Sequence, residues 1–272
     1  MIAVLKVATL ILCLTPFPAG TAQGSGRTAA HAATTPTSRQ SVSRPSSQMA
    51  AIISKVDTQD KVVALTFDDG PDPRYTPAVL KLARDKHVRF TFFVVGRQAQ
   101  LYPDLLKQEV AEGHVIGNHT WDHRLLRGQR GDVDTSEIAQ CGTLLERMLG
   151  TPIKLFRPPS GEWDVATRSA AGGLGYQVVL WSAAVGHHSA QRPESMARRI
   201  IRRIRPGTII LAHDGDPTGN HLNRTPNIQA AAIIVDELQR RGYRFVTIPE
   251  LLALSGENRG PRVQPQEQKS AS

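Results

Sequence analysis

The chain has 272 residues, of which 40% are apolar and 5% aromatic, with a formal net charge of +9 and two cysteines. That length accommodates one large α/β core with loose ends, and two cysteines exclude a disulfide scaffold. The charge does not indicate a nucleic-acid binder, because exposed aromatics are not interleaved with it and much of it lies at the two ends.

No acid occurs in residues 1–50, so Lys6, Arg27, Arg39 and Arg44 there are unopposed. The tail from Gly256 sets Arg259, Arg262 and Lys269 against Glu257 and Glu267. These segments carry +4 and +1, leaving +4 for the residues between. Basic flanks of this kind suit electrostatic association with an anionic cell envelope.

Residues 1–22 read as a secretory signal, with Lys6, an apolar run over 7–14 and a small-residue exit at Ala22. The protein is therefore expected to be secreted or extracytoplasmic. The run is too short to span a bilayer, although an uncleaved anchor is the alternative. Leu12 before Cys13 does not fit a lipoprotein signal. Once Cys13 leaves with the signal, Cys141 stands alone and reads as a small buried helix residue. Residues 23–55, mostly small and polar, are expected to be a disordered linker, and 256–272 a disordered tail.

Between these ends, short apolar runs alternate with helix-period segments. Strands are expected at 62–67, 90–95, 114–118, 154–157, 177–181, 208–213 and 244–248. Helices are expected at 76–87, 101–112, 135–149, 164–173, 193–205 and 226–241, several ending in glycine-containing caps. About seven alternations predict a single α/β domain, a barrel or sheet with a parallel strand core. In such folds chemistry collects at the C-terminal strand ends, which here carry Asp68 and Asp69, Asn118 and His119, Arg157, Trp181, and His213 with Asp214.

"VALTFDDGPDPRYT" (63–76) ends a greasy strand on two adjacent carboxylates, a placement that costs free energy unless something positive lies nearby. Gly70, Pro71 and Pro73 make the following stretch a turn. In "HTWDH", His119 and His123 are four residues apart, which predicts one face of a helical turn. Two imidazoles and a carboxylate make a three-ligand metal site with an open position.

"TFDDGPDPRYT", "GHVIGNHTWDH", "FRPPSG" and "GTIILAHD", in this order and spacing, resemble the polysaccharide deacetylases of carbohydrate esterase family four, the NodB-like group. The resemblance spans about residues 60–254 and implies a distorted (β/α) barrel, with 56–255 as the deacetylase domain. It implies Asp68 as general base, and Asp69, His119 and His123 as ligands of one divalent ion, Zn2+ first, with Co2+, Ni2+ or Mn2+ as alternatives. It further implies that Arg157 orients the base, that His213 is the general acid, and that the backbone N–H of Ser160 donates to the oxyanion. Leu211, Pro159 and Trp181 would line the substrate pocket. The partner would be an acetylated glycan polymer, with the protein acting as a monomer.

Two departures from the family pattern stand out. Ser160 replaces the usual aromatic after "RPP", and Ala184 falls where the family tends to place an Asp that partners the general-acid histidine and keeps it protonated. Asp214, Asp216 or His187 are candidates to compensate. The implied activity is N-deacetylation of N-acetylglucosamine polymers, peptidoglycan or chitin-type. O-deacetylation of acetylated xylan and a weakly active or non-catalytic glycan-binding relative are the alternatives. His87 and His114 read as structural, and His187 and His188 as loop residues. "ARRIIRRIR" reads as a helix with Ile200, Ile201 and Ile204 on its buried face.

Overall fold

A computed structural model describes residues 49–186, 192–219 and 221–254. The signal segment, most of the expected linker, His187, His188 and the tail lie outside the described residues. Among the described residues, nine strands alternate with eight α-helices. In chain order they are β1 (Ile52–Ile53), β2 (Val62–Asp68), α1 (Thr76–Lys86), β3 (Thr91–Val94), α2 (Gly96–Leu101), α3 (Pro103–Ala111) and β4 (Val115–Asn118). There follow α4 (Gly131–Leu149), β5 (Leu155–Phe156), α5 (Val165–Gly173), β6 (Gln177–Val179), β7 (Ala183–Ala184), α6 (Pro193–Ile201), β8 (Thr208–His213), α7 (Thr225–Arg240), β9 (Arg244–Phe245) and α8 (Ile248–Ala253).

The strands form one sheet in the order β1-β6-β5-β4-β3-β2-β8-β7, with β9 also pairing to β2. Every strand pairing is parallel, as the strand–helix alternation requires. This is the distorted barrel with a parallel core expected from the sequence.

The two-residue period of a strand explains how the core and the site share the same elements. Along β2, Val63, Leu65 and Phe67 pack outward with Leu80, Ile138 and Ile234 of the helices. Val62 and Ala64 face inward with Phe93, Leu155, Val179 and Ile209. Continuing the inner parity to the strand ends gives Thr66 and Asp68, then His119, Arg157, Trp181, Leu211 and His213. The inner face is therefore apolar at its base and polar at its C-terminal rim. Gly117 is required there, because a Cβ on it would lie 2.6 Å from the Phe93 ring. Each fully buried phenylalanine of this core contributes about 1.5–3 kcal/mol.

Several local expectations need correction. The 23–55 linker does not extend to residue 55: Ala50 is buried and β1 pairs with β6. The helix expected at 101–112 is α3, preceded by α2 and separated from it at Tyr102, where Pro103 starts a new first turn. The last strand stops at Phe245, not residue 248. There Thr247 and Glu250 form a reciprocal capping box that starts α8 with Pro249 in its first turn. β7 is two alanines long, too short to leave a hydrophobic pattern. His114 is structural as expected, its Nδ1 accepting the Phe90 N–H at 3.0 Å. His87 closes α1 in the left-handed conformation. Ile200, Ile201 and Ile204 are buried, and Cys141 is buried in α4 with its thiol pushed up to about 12 by burial.

Candidate metal and catalytic centre

Asp68 ends β2, in register with His213 at the end of β8. Asp69 follows in the left-handed region at φ 83. His119 leaves β4, its N–H donating to the Val94 carbonyl. Residues 119–123 are not the helical turn that their spacing suggested. Thr120 and His123 have φ of 69 and 63, and the backbone is bonded outward. The carbonyls of Thr120 and Trp121 accept from the N–H groups of Gly96 and Arg97 at the start of α2. The positive φ values at Thr120 and His123 are what a right-handed helical turn cannot contain. The imidazoles meet nonetheless, their ring centroids 5.0 Å apart.

One ligand atom from each of Asp69, His119 and His123 lies within 4.8 Å of the other two. Asp69 and His119 are almost wholly buried. His123 Nε2 stands 3.1 Å and His119 Nε2 3.6 Å from the same oxygen, Asp69 Oδ1. That oxygen is buried yet accepts no hydrogen bond. The His119 Nδ1–H donates to the Arg157 carbonyl at 2.7 Å, which leaves the Nε2 lone pair facing Asp69. Burial alone would raise the Asp69 carboxyl, but His119, His123 and His213 outweigh it and hold the group well below the usual carboxylate range. Burial likewise depresses His119, and Asp68 and Asp69 more than reverse it. An N,N,O donor set around an unsatisfied buried carboxylate oxygen fits a divalent ion such as zinc.

Each carboxylate of the pair has its own buried guanidinium. Arg157, fully buried, donates from Nη1 to Asp68 Oδ1 at 2.6 Å and to Thr66 Oγ1 at 2.8 Å. Its Nε and Nη2 bond the carbonyls of Val179 and Leu180, and its plane lies 3.9 Å from the Phe93 ring centre. Arg224 donates from Nη2 to Asp69 Oδ2 at 2.8 Å and from Nε to the Gly215 carbonyl at 2.7 Å. Sequence reasoning missed Arg224: "NRT" has no motif, and its partner is 155 residues away.

His213 is buried, and its backbone N–H donates to Asn227 Oδ1 at 2.9 Å. Leu211 is buried two residues before it on the same strand and stands in register with Ala184, so a methyl occupies the position where the family pattern would put a carboxylate. Of the candidates to compensate, Asp214 accepts from Thr76 Oγ1 at 2.5 Å, and burial together with Asp69 and Asp68 pushes it up to about 7. Asp216 accepts the Leu222 N–H. Ser160 sits in a 3-10 turn after Pro159 at φ 58. Trp181 lies over Gly161, where a Cβ would come within 2.6 Å of the ring. Asp69, Thr120, His123 and Ser160 are four of the six non-glycine residues with positive φ among the described residues, a clustering of strained backbone around one site.

The structure thus brings together Asp68, Asp69, His119, His123 and Arg157. His213 stands beside Asp68 by strand register, and Leu211, Trp181, Pro159 and Ser160 lie along the same rim.

A profile of the polysaccharide deacetylase family matches residues 55–179. A peptidoglycan-N-acetylglucosamine deacetylase of Bacillus cereus is 40% identical over 200 residues, covering 73% of this chain and 91% of the relative. A chitooligosaccharide deacetylase of Azorhizobium caulinodans is 34% identical, covering 69% and 92%. Among solved structures, the Bc1960 peptidoglycan N-acetylglucosamine deacetylase superposes with a TM-score of 0.69 at 32% identity, over 74% of this chain and 92% of that one.

Proposed function

The chain belongs to the polysaccharide deacetylases of carbohydrate esterase family four, and from that premise we propose that it is a metal-dependent hydrolase removing N-acetyl groups from N-acetylglucosamine polymers of the peptidoglycan or chitin type. The observation that carries this reading is the division of labour between adjacent aspartates. Asp69 faces two imidazoles through an unsatisfied oxygen, while Asp68 is held separately by Arg157.

Asp69, His119 and His123 would hold the ion, zinc in the first instance. When bound, it would polarise the acetamide carbonyl and favour the hydroxide form of water at neutral pH. Asp68 accepts the proton of the attacking water, its carboxylate held in place by the Arg157 bond to Oδ1. His213 donates a proton to the departing amine, so that amide plus water gives a free amino sugar and acetate. The Ser160 N–H donates to the oxygen that gains charge. Leu211, Pro159 and Trp181 shape the pocket for the acetyl group.

The reading extends to a secreted or envelope-associated monomer, supported by the signal-like first 22 residues and the basic flanks. A second reading, a weakly active glycan-binding relative, is favoured by Ala184 at the register of Leu211. The test is acetate release by the zinc-loaded protein offered peptidoglycan, chitooligosaccharides and acetylated xylan, with new amines assayed in parallel. Acetate with equimolar amine establishes N-deacetylation. Acetate without amine makes the enzyme an O-deacetylase, and no release from any glycan favours the binding reading.

A further inference from the structure

The loop 119–123 carries two of the three metal-ligand candidates, yet it lies in neither a helix nor a strand, and two of its residues have positive φ. A segment in that conformation keeps its shape only if its surroundings over-determine it. One helix supplies much of that determination. Glu137 on α4, almost wholly buried, accepts the N–H of Trp121 at 3.1 Å and of Asp122 at 3.3 Å through the single oxygen Oε2. At the next residue of α4, the Ile138 carbonyl accepts from the Asn118 side-chain amide at 2.8 Å, and Asn118 Oδ1 accepts the Thr120 N–H at 2.9 Å. α4 therefore grips the loop before His119 and again just before His123. Arg124, half exposed, approaches the other oxygen of Glu137 at 3.8 Å, an ion pair too open to explain burying a carboxylate here.

We propose that Glu137 is a positioning residue for metal binding: by accepting two consecutive loop N–H groups it fixes the separation of His119 and His123 and so sets the affinity for the ion. This rests on the metal-site reading above. What matters is an acceptor at that place, not its charge, since both partners are backbone N–H groups that an amide oxygen serves as well. Outer partners of metal ligands typically change affinity by 10- to 100-fold.

The test is the zinc dissociation constant of the full chain, measured by chelator competition, for the wild type, Glu137→Ala and Glu137→Gln. Glu137→Ala should bind zinc about 10- to 100-fold more weakly, and Glu137→Gln within about threefold of the wild type. Equal affinity in Glu137→Ala and the wild type overturns the inference alone. Equal weakening in both variants overturns it in favour of a charge effect, and a wild type that binds no zinc overturns the metal-site reading with it. Should Glu137→Ala fail to fold, hydrogen exchange in the metal-free wild type decides. The amides of Trp121 and Asp122 should exchange slowly, as hydrogen-bonded amides do, and rapid exchange there refutes the grip.

Discussion

Replacing Arg157 by Met removes a guanidinium that the fold has surrounded completely. Methionine keeps most of the stem volume against Phe93, so the effect isolates the polar head. Four acceptors lose a donor: Asp68 Oδ1, Thr66 Oγ1 and the carbonyls of Val179 and Leu180. Asp68 is nearly inaccessible to water, and its other oxygen has His119 Nε2 at 3.7 Å, beyond hydrogen-bond distance. Breaking a buried ion pair from one side costs about 3–5 kcal/mol, because the remaining charge is stranded. In a domain of roughly 200 described residues, each kcal/mol shifts the melting temperature by about 2–4 °C. Metal-free Arg157→Met should therefore melt about 6–20 °C below the wild type at pH 7. The control is Lys81→Met, which removes an equally short pair to Asp85 on an exposed helix face and should change stability by less than about 1 kcal/mol. Thermal unfolding by circular dichroism reads both. A loss in Arg157→Met no larger than in Lys81→Met would refute the claim that burial gives this pair its weight.

His114 should make the fold acid-sensitive before the carboxylates do. Burial, with Arg89 and Arg84 nearby, lowers its imidazole from 6.5 to about 4 against the pull of Glu112. The unfolded chain then binds a proton that the folded one refuses, so this contribution is complete above pH 6.5 and is lost as pH falls toward 4. An imidazole titration by NMR with a midpoint near 4 would confirm it, and an ordinary midpoint would not. Cys141, its thiol pushed up to about 12 by burial, should resist a thiol reagent at pH 8 until the protein unfolds; prompt native labelling counts against the packing of α4 on β3. Gly161→Ala places a Cβ at φ 68 and 2.6 Å from the Trp181 ring. It should lower stability by about 1–2 kcal/mol, change tryptophan fluorescence and reduce turnover about 10- to 100-fold, whereas unaltered turnover would remove Trp181 from the pocket wall.

The candidate site was legible in the sequence because its main signals are short. Asp68 and Asp69 are adjacent, His119 and His123 lie four apart, and Arg157 and His213 directly follow or end strand-like runs. The parity that turns these residues inward is a property of any strand, so the fold class and the rim came together. What the sequence hid are partners separated by long stretches of chain. Arg224 reaches Asp69 across 155 residues, Asn227 fixes the backbone of His213 from α7, and Glu137 reaches Trp121 and Asp122 from α4. None carries a local pattern distinguishing it from a solvated helix residue. The loop conformation of "HTWDH" was hidden for a related reason. The i,i+4 spacing is the same in a helix, and the donors and acceptors that pull the backbone out of it come from α2 and α4. β1 was lost to composition, since its two isoleucines adjoin a long small-residue stretch and pair with a strand more than a hundred residues later.

The division of labour between the paired aspartates is tested most directly by making Asp68→Asn and Asp69→Asn side by side and measuring bound zinc and acetate release on each. Asp68→Asn should retain close to one zinc per chain while turnover falls at least about 100-fold, and Asp69→Asn should lose the metal and the activity together. Loss of zinc in Asp68→Asn, or near-normal turnover with Asn in its place, would contradict the assignment of Asp68 as the base that stands beside the metal without binding it.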